Sequence, residues 1–171
     1  MNAALRLLCS SLSFLFFLSF LLAPASTQAQ DAAPVLRGQT LDGREFDLAR
    51  QRGRVVLVLL WRTDCAVCLD KMPELRANAL GWKGKPFDLV LVNLDPRSTD
   101  VQTYDRLRRQ TSGGAVAVHS LWRGDAELPA AWRDAARLPT TLVIDRQGRV
   151  SARHEGRVPP EAWDQVADLL P

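Results

Sequence analysis

Histidine and cysteine are scarce in this chain, with two of the first and three of the second among 171 residues. So few cysteines exclude a fold stapled by several disulfides, and so few histidines leave little from which to build a metal site. A dense basic run is also missing. The formal charge of +3 comes mainly from arginines scattered along the chain, without the clustered footprint of nucleic-acid binding, so nucleic acid is not expected as a partner. No repeat or low-complexity segment interrupts the chain after its first thirty residues. With 47% hydrophobic and 24% charged residues, the composition is that of one compact globular domain.

Charge is absent from one long stretch near the start. Arg6 precedes the apolar run Leu12–Leu22 (LSFLFFLSFLL), and the small and polar residues APASTQAQ follow it. This is the layout of a secretory signal peptide. Small residues at −3 and −1 favour a cut after Ala29, with Thr27 at −3; a cut after Ala25, with Ala23 at −3, is the second choice. The competing reading is an uncleaved anchor, because the stretch widened to Leu7–Ala25 approaches the roughly 17–25 residues of a membrane helix. The expected organisation is residues 1–29 as signal peptide or anchor, 30–37 as leader and 38–171 as the folded domain.

Beyond the leader, strand and helix patterns alternate. GQTLDGREFDL carries an Asp42-Gly43 turn between two short strands and reads as a β-hairpin. Arg54–Trp61 (RVVLVLLW) is an unbroken apolar run, the mark of a strand buried on both faces. A helix follows from Asp64 or Cys65, either of which can cap it, to about Leu80, with Pro73 inside it. A strand is expected at Phe87–Leu94, a helix at Ser98–Gln110, a strand at Ala115–Ser120 and a helix from about Leu128 to Arg137. Two strands joined at Arg146-Gln147-Gly148 come next, and PPEAWDQVADLL closes the chain as a helix with proline in its first turn. Alternation of this kind indicates an α/β fold built on βαβ units.

Cys9 lies within the presumed signal, leaving Cys65 and Cys68 to the mature chain. A structural disulfide stabilises chiefly by closing a loop in the unfolded chain, and two intervening residues close almost none. The pair therefore asks for a chemical explanation. At the junction of strand and helix, the first sulfur sits beside unpaired backbone N–H groups and the positive end of the helix dipole. Such surroundings lower a thiol pKa from about 8.5 to between roughly 3.5 and 7.5. Cys65 is accordingly the expected nucleophile. Cys68, one turn further in, is the expected resolving thiol.

Other readings of the pair are ordinary core residues or half of a zinc site, and zinc would need two more ligands. His119 and His154 each stand alone in strand-like stretches, so no metal is expected. Arg137-Leu138-Pro139-Thr140-Thr141 precedes the strand LVID, where proline must start the strand rather than interrupt it. Its peptide bond is trans or cis, the cis form occurring in about 5–6% of X–Pro bonds. Of the five tryptophans, Trp61 is the candidate substrate contact because it adjoins the cysteine loop; Trp82, Trp122, Trp132 and Trp163 read as core.

Four segments in order, LDGREFDLARQRGRVVLVLLW, WRTDCAVCLDKMPEL, RLPTTLVIDRQGRV and RHEGRVPPEAW, carry a resemblance to the thioredoxin superfamily. Within it the chain resembles the TlpA-like and ResA-like branch of exported disulfide reductases, which includes cytochrome c maturation proteins. The resemblance spans roughly Gly38 to Leu170. It implies a thioredoxin-like fold, a central mixed β-sheet flanked by helices, here with an N-terminal hairpin extension. It also implies that Cys65 is the nucleophile, Cys68 the resolving thiol and Pro139 a cis-proline facing the pair, with Leu138 offering its backbone to substrate. No cofactor is expected beyond the redox-active Cys65–Cys68 disulfide. The implied partners are protein thiols and disulfides and a membrane electron donor, and the implied place is the bacterial periplasm, free or held at the inner membrane by an uncleaved anchor.

The chain departs from the branch where Asp64 replaces a common tryptophan, Ala66-Val67 lacks the common proline, Lys71 replaces a frequent glutamate and Leu59 replaces a polar residue. Asp64 opposes ionisation of Cys65 while Lys71 supports it. The long Lys71 side chain is expected to turn its ammonium into water, where screening weakens it. Asp64 then dominates, and the couple is expected to be reducing, nearer roughly −270 mV than −120 mV. Two alternatives differ in class. One is a thioredoxin-like metal-binding or adaptor module without disulfide exchange; the other is a peroxidase, for which the proline and arginine setting is not apparent.

Overall fold

A computed structural model describes residues 33–111 and 118–171. Strands β1 (Arg37–Thr40) and β2 (Glu45–Asp47) pair antiparallel around the expected Asp42-Gly43 turn. Gly43 adopts φ +83° there, a left-handed conformation that costs glycine little. A 3-10 turn at Leu48–Gln51 follows, capped by the Asp47 carboxylate, which accepts the Ala49 amide. Strand β3 (Val55–Trp61) is buried along its whole length, helix α1 (Ala66–Gly81) runs on through Pro73, and β4 (Phe87–Asn93) lies parallel to β3.

Helix α2 (Ser98–Thr111) leads towards β5 (Val118–Glu127), which is parallel to β4. After the short α3 (Ala130–Arg133), β6 (Thr140–Ile144) pairs antiparallel with β3, then with β7 (Val150–Glu155), and α4 (Glu161–Leu169) closes the domain. The sheet has seven strands in the order β2-β1-β5-β4-β3-β6-β7. Parallel and antiparallel neighbours make it the mixed sheet, flanked by helices, of a thioredoxin-like fold.

Period-two alternation in the central strands divides the core into two layers. Val55, Leu57, Leu59 and Trp61 of β3 pack with Met72 and Leu75 of α1 and with Ala162 and Val166 of α4. Val56, Val58 and Leu60 face the other way, towards Phe46, Leu48, Leu121 and Trp132. Because β3 is covered on both faces, its polar-free sequence is a requirement of burial.

Two elements differ from expectation. The strand expected at Ala115–Ser120 begins, within the described residues, at Val118 and continues to Glu127; Ala115–Ala117 lie outside them. Its first half pairs with β4, while Thr40, Gly38 and Arg37 of β1 pair with Leu121, Ala126 and Glu127. The hairpin thus pairs with β5 on either side of the polar segment Trp122–Asp125. A register shift lies between the two sets of β1 pairs, and Gly38 is pressed against it. A Cβ at Gly38 would stand 2.4 Å from the Asp125 carbonyl oxygen and 2.8 Å from Ala126 Cα.

The helix expected over Leu128–Arg137 is confined to Ala130–Arg133. Its last turn is closed by the Asp134 amide on the Ala130 carbonyl, and the Arg133 guanidinium reaches back to the Arg123 and Ala126 carbonyls of β5. The residue before a proline is also disfavoured in helical conformation, which keeps Leu138 out of any extension.

Candidate active site

The site forms where β3 gives way to α1. Trp61 ends the strand, the chain turns through Arg62-Thr63-Asp64, and Cys65 caps the helix in extended conformation, φ −94° and ψ 98°. Its amide donates to the Arg62 carbonyl at 3.2 Å, which closes the turn. Its Sγ accepts the Cys68 amide at 3.1 Å, so the sulfur does the work that a serine or aspartate oxygen does at other helix starts. Cys65 and Cys68 form a disulfide with S–S 2.07 Å and Cα–Cα 5.2 Å. Cys65 is half-buried; Cys68 is 0% exposed and packs in the core with Met72 and Leu75.

This asymmetry has a direct chemical meaning. In the reduced pair, a thiolate on Cys65 faces the free amides of the first turn of α1 and the positive end of its dipole. Anionic sulfur is the attacking species in disulfide exchange. Cys65 is the more exposed of the two residues, and the two sulfurs are close enough to be bonded.

The same end of the sheet carries the Arg137–Thr141 segment. The Leu138–Pro139 peptide is cis and Pro139 is buried. Continuing the β3–β6 register, in which Leu60 lies opposite Thr140, sets Pro139 level with Trp61, where the cysteine turn departs. Leu138 is half-buried and touches both core layers. The fold therefore brings Cys65, Cys68, Leu138 and Pro139 to one end of the two adjacent strands.

Trp61 is turned inward from the cysteine turn. It is 2% exposed, because the alternation along β3 turns it to the α1 side with Leu57 and Leu59. Its ring meets Tyr104 edge-on with centroids 4.9 Å apart, and its Nε1 is buried without a hydrogen-bond partner among the described residues.

The charges beside the pair are both partnered, contrary to expectation. Asp64 is exposed but accepts a 2.7 Å hydrogen bond from Arg62 Nη2. The Lys71 ammonium does not reach into water: its side chain is 13% exposed and donates to Glu74 Oε2 at 2.7 Å. Glu74 Oε1 accepts Trp163 Nε1 at 2.7 Å, fixing the pair against α4. The Lys71 bond first, then the Trp163 bond, holds the Glu74 carboxyl below its usual range. Neither Asp64 nor Lys71 therefore acts on Cys65 as a bare charge.

Sequence reasoning missed Asp95. It is 2% exposed beyond the end of β4, and its carboxylate accepts the Thr63 amide at 3.1 Å and Asn93 Nδ2 at 2.9 Å. The available signal was the polar pair in Asn93-Leu94-Asp95, at the end of β4 and just beyond it.

His119 meets Phe46 at a tilt with centroids 4.8 Å apart and has Nε2 3.6 Å from Asp88, while His154 faces Gln165. Both lie in strands, and among the described residues no group of three or more His, Cys, Asp or Glu side chains converges as a metal site would. No helix among the described residues is long and apolar enough to cross a membrane; the run at Leu12–Leu22 lies outside them.

A mixed sheet flanked by helices, with a Cys-x-x-Cys disulfide at the junction of a central strand and its helix, defines the thioredoxin-like thiol-disulfide oxidoreductases. Among solved structures, a thiol:disulfide interchange protein of the thioredoxin family from Chlorobium tepidum TLS superposes with TM-score 0.62 at 20% identity, covering 80% of this chain and 92% of the other. A DsbF homologue from Corynebacterium diphtheriae gives TM-score 0.61 at 20% identity, over 80% and 84%. These likenesses are of fold. In sequence, the thiol-disulfide oxidoreductase ResA of Geobacillus thermodenitrificans is 25% identical over 167 residues, 97% of this chain and 91% of the relative. The family pattern of Redoxin matches residues 28–170, and the chain belongs to that family. It is a ResA/TlpA-like member of the thioredoxin superfamily and a thiol-disulfide oxidoreductase acting on protein thiols.

Proposed function

We propose that the chain is exported and reduces or exchanges disulfides of proteins outside the cytoplasm. The observation that carries this reading is the unequal pair, a half-buried Cys65 at the start of α1 and a fully buried Cys68 behind it. The Cys65 thiolate attacks one sulfur of the substrate disulfide, forming a mixed disulfide and releasing one substrate thiolate. Cys68 then attacks Cys65 Sγ, releases the second substrate thiol and closes the Cys65–Cys68 disulfide. Substrate gains two electrons and two protons; the pair loses them. Cys65–Cys68 is the redox group, with no further cofactor, and a membrane electron donor returns it to the dithiol.

Leu138 presents backbone to an extended substrate segment, and Pro139, which lacks an N–H, ends that contact. Leu138 is half-buried beside the buried Pro139, at the end of the sheet where the cysteine turn departs, which supports this role. A narrower version of the same reading places the protein in cytochrome c maturation, in keeping with the TlpA-like and ResA-like resemblance. Export rests on the leader, with the cut after Ala29 and the product free in the periplasm.

Insulin reduction by the dithiol form tests the chemistry: turnover that disappears in Cys65→Ser is expected, and equal turnover without Cys65 would overturn it. Fractionation with N-terminal sequencing tests export. A soluble product beginning at Gln30 is expected, and membrane-bound protein retaining Met1 would replace release with anchoring.

A further inference from the structure

We propose that Asp95 is a positioning residue of the redox site: its carboxylate clamps the turn that presents Cys65 and shares Arg62 with Asp64, balancing the charge beside the sulfur. This rests on the reading of Cys65 as the attacking sulfur.

A carboxylate that is 2% exposed is costly unless its oxygens are paired. Asp95 is held from behind before it meets the turn. Its amide donates to Asn93 Oδ1 at 3.0 Å, Asn93 Nδ2 donates to its Oδ2 at 2.9 Å, and Trp122 Nε1 donates to its carbonyl at 2.8 Å. Thus β4 and β5 together fix where the carboxylate stands. From there it takes the Thr63 amide on both oxygens, at 3.1 and 3.3 Å. Thr63 lies two residues before Cys65, so this bond ties the turn to the rigid end of the sheet.

The second contact is with Arg62. Its Nε lies 3.8 Å from Asp95 Oδ1, buried and without a hydrogen bond among the described residues, while its Nη2 donates to Asp64 at 2.7 Å. One guanidinium thus stands between a buried carboxylate and an exposed one. Without Arg62, the Asp64 charge would bear on Cys65 and oppose its ionisation. Among the described charged groups of the neighbouring elements, Lys71 pairs with Glu74, Asp70 with Arg157 from the segment before α4, and Arg97 with Asp100. Arg137 is exposed ahead of Pro139, and Arg76 of α1 is half-buried beside Tyr104.

The test is the pH profile of Cys65 alkylation by iodoacetamide in the reduced protein, with insulin reduction in parallel. Asp95→Asn keeps an acceptor for the Thr63 amide but removes a negative charge. Its profile should move to lower pH, raising the rate at acidic pH about threefold. Arg62→Gln removes the cation and should move the profile the other way. Asp95→Ala also loses the clamp, and its insulin turnover should fall about tenfold, rescued by asparagine at the same position. A merely structural role would lower stability without shifts of opposite sign. Profiles unmoved in both Asp95→Asn and Arg62→Gln, or moved in the same direction, would overturn the proposal even if Asp95→Ala fails to fold. Alkylation is read on the sulfur itself, so its outcome stands whether or not the wild-type protein reduces insulin.

Discussion

Replacing the two cysteines one at a time should give very unequal reactivity. Cys68 is 0% exposed beneath the first turn of α1, in contact with the layer that holds Met72 and Leu75. For a partner disulfide to meet it, that turn must lift from the sheet and expose on the order of 100 Å² of apolar surface, at a cost of about 2.5 kcal/mol. That cost corresponds to roughly a 70-fold lower rate than at Cys65, which needs no opening. Cys65→Ser and Cys68→Ser proteins, each also carrying Cys9→Ser, would be mixed with a peptide bearing a pyridyl disulfide and followed by release of the chromophore. Cys68→Ser is expected to react fast through Cys65, and Cys65→Ser slowly. Rates within threefold of each other would refute the argument from burial and with it the division of roles.

Trp61→Phe should leave the KM for insulin unchanged and cost less than about 2 kcal/mol, because the lost volume is offset by removal of an unpartnered buried N–H; a tenfold rise in KM would restore Trp61 to the substrate surface. Gly38→Ala should cost more than about 2 kcal/mol in urea unfolding, since backbone atoms of β5 occupy the space its Cβ needs. A loss below about 0.5 kcal/mol would mean that the two strands part easily. The hydrogen bond from Thr40 Oγ1, then that from Arg44, lowers Asp42 from 3.8 to about 2. A depressed carboxyl stabilises the fold above its unfolded pKa, so the Asp42 contribution is complete above about pH 5 and fades as pH falls towards 2. Thr40→Val should bring the Asp42 titration, followed by NMR, back towards its ordinary value; an unmoved midpoint would refute the assigned cause.

Much of this architecture was legible in residue order. The hairpin was marked by Asp42-Gly43, β3 and β4 by runs too apolar for any exposed face, and the helix start by Cys65 itself. The second half of β5 was not, because WRGDAE has no strand signature of its own and its partner there is β1. Likewise α3 stops early through contacts that Arg133 makes with β5. At the site, the sulfur pair could be read from spacing and position. The charge balance could not, since it depends on which way Arg62 and Lys71 turn, and on an aspartate 32 residues from the amide it accepts. The buried state of Trp61 followed from the phase of β3, a signal that its nearness to the cysteines outweighed.

The order of strands has a consequence for solubility. The outermost members of the sheet are β2, three residues long with Glu45 exposed, and β7, whose outward side chains are Ser151, Arg153 and Glu155. A strand at the margin of a sheet leaves amides and carbonyls open to pairing with a neighbouring molecule, and short length and charge discourage this. Residues Arg37–Thr40 and Val118–Glu127, the longer lengths that would otherwise lie bare, are paired with each other inside those margins. Concentrated folded protein should therefore resist edge-to-edge aggregation.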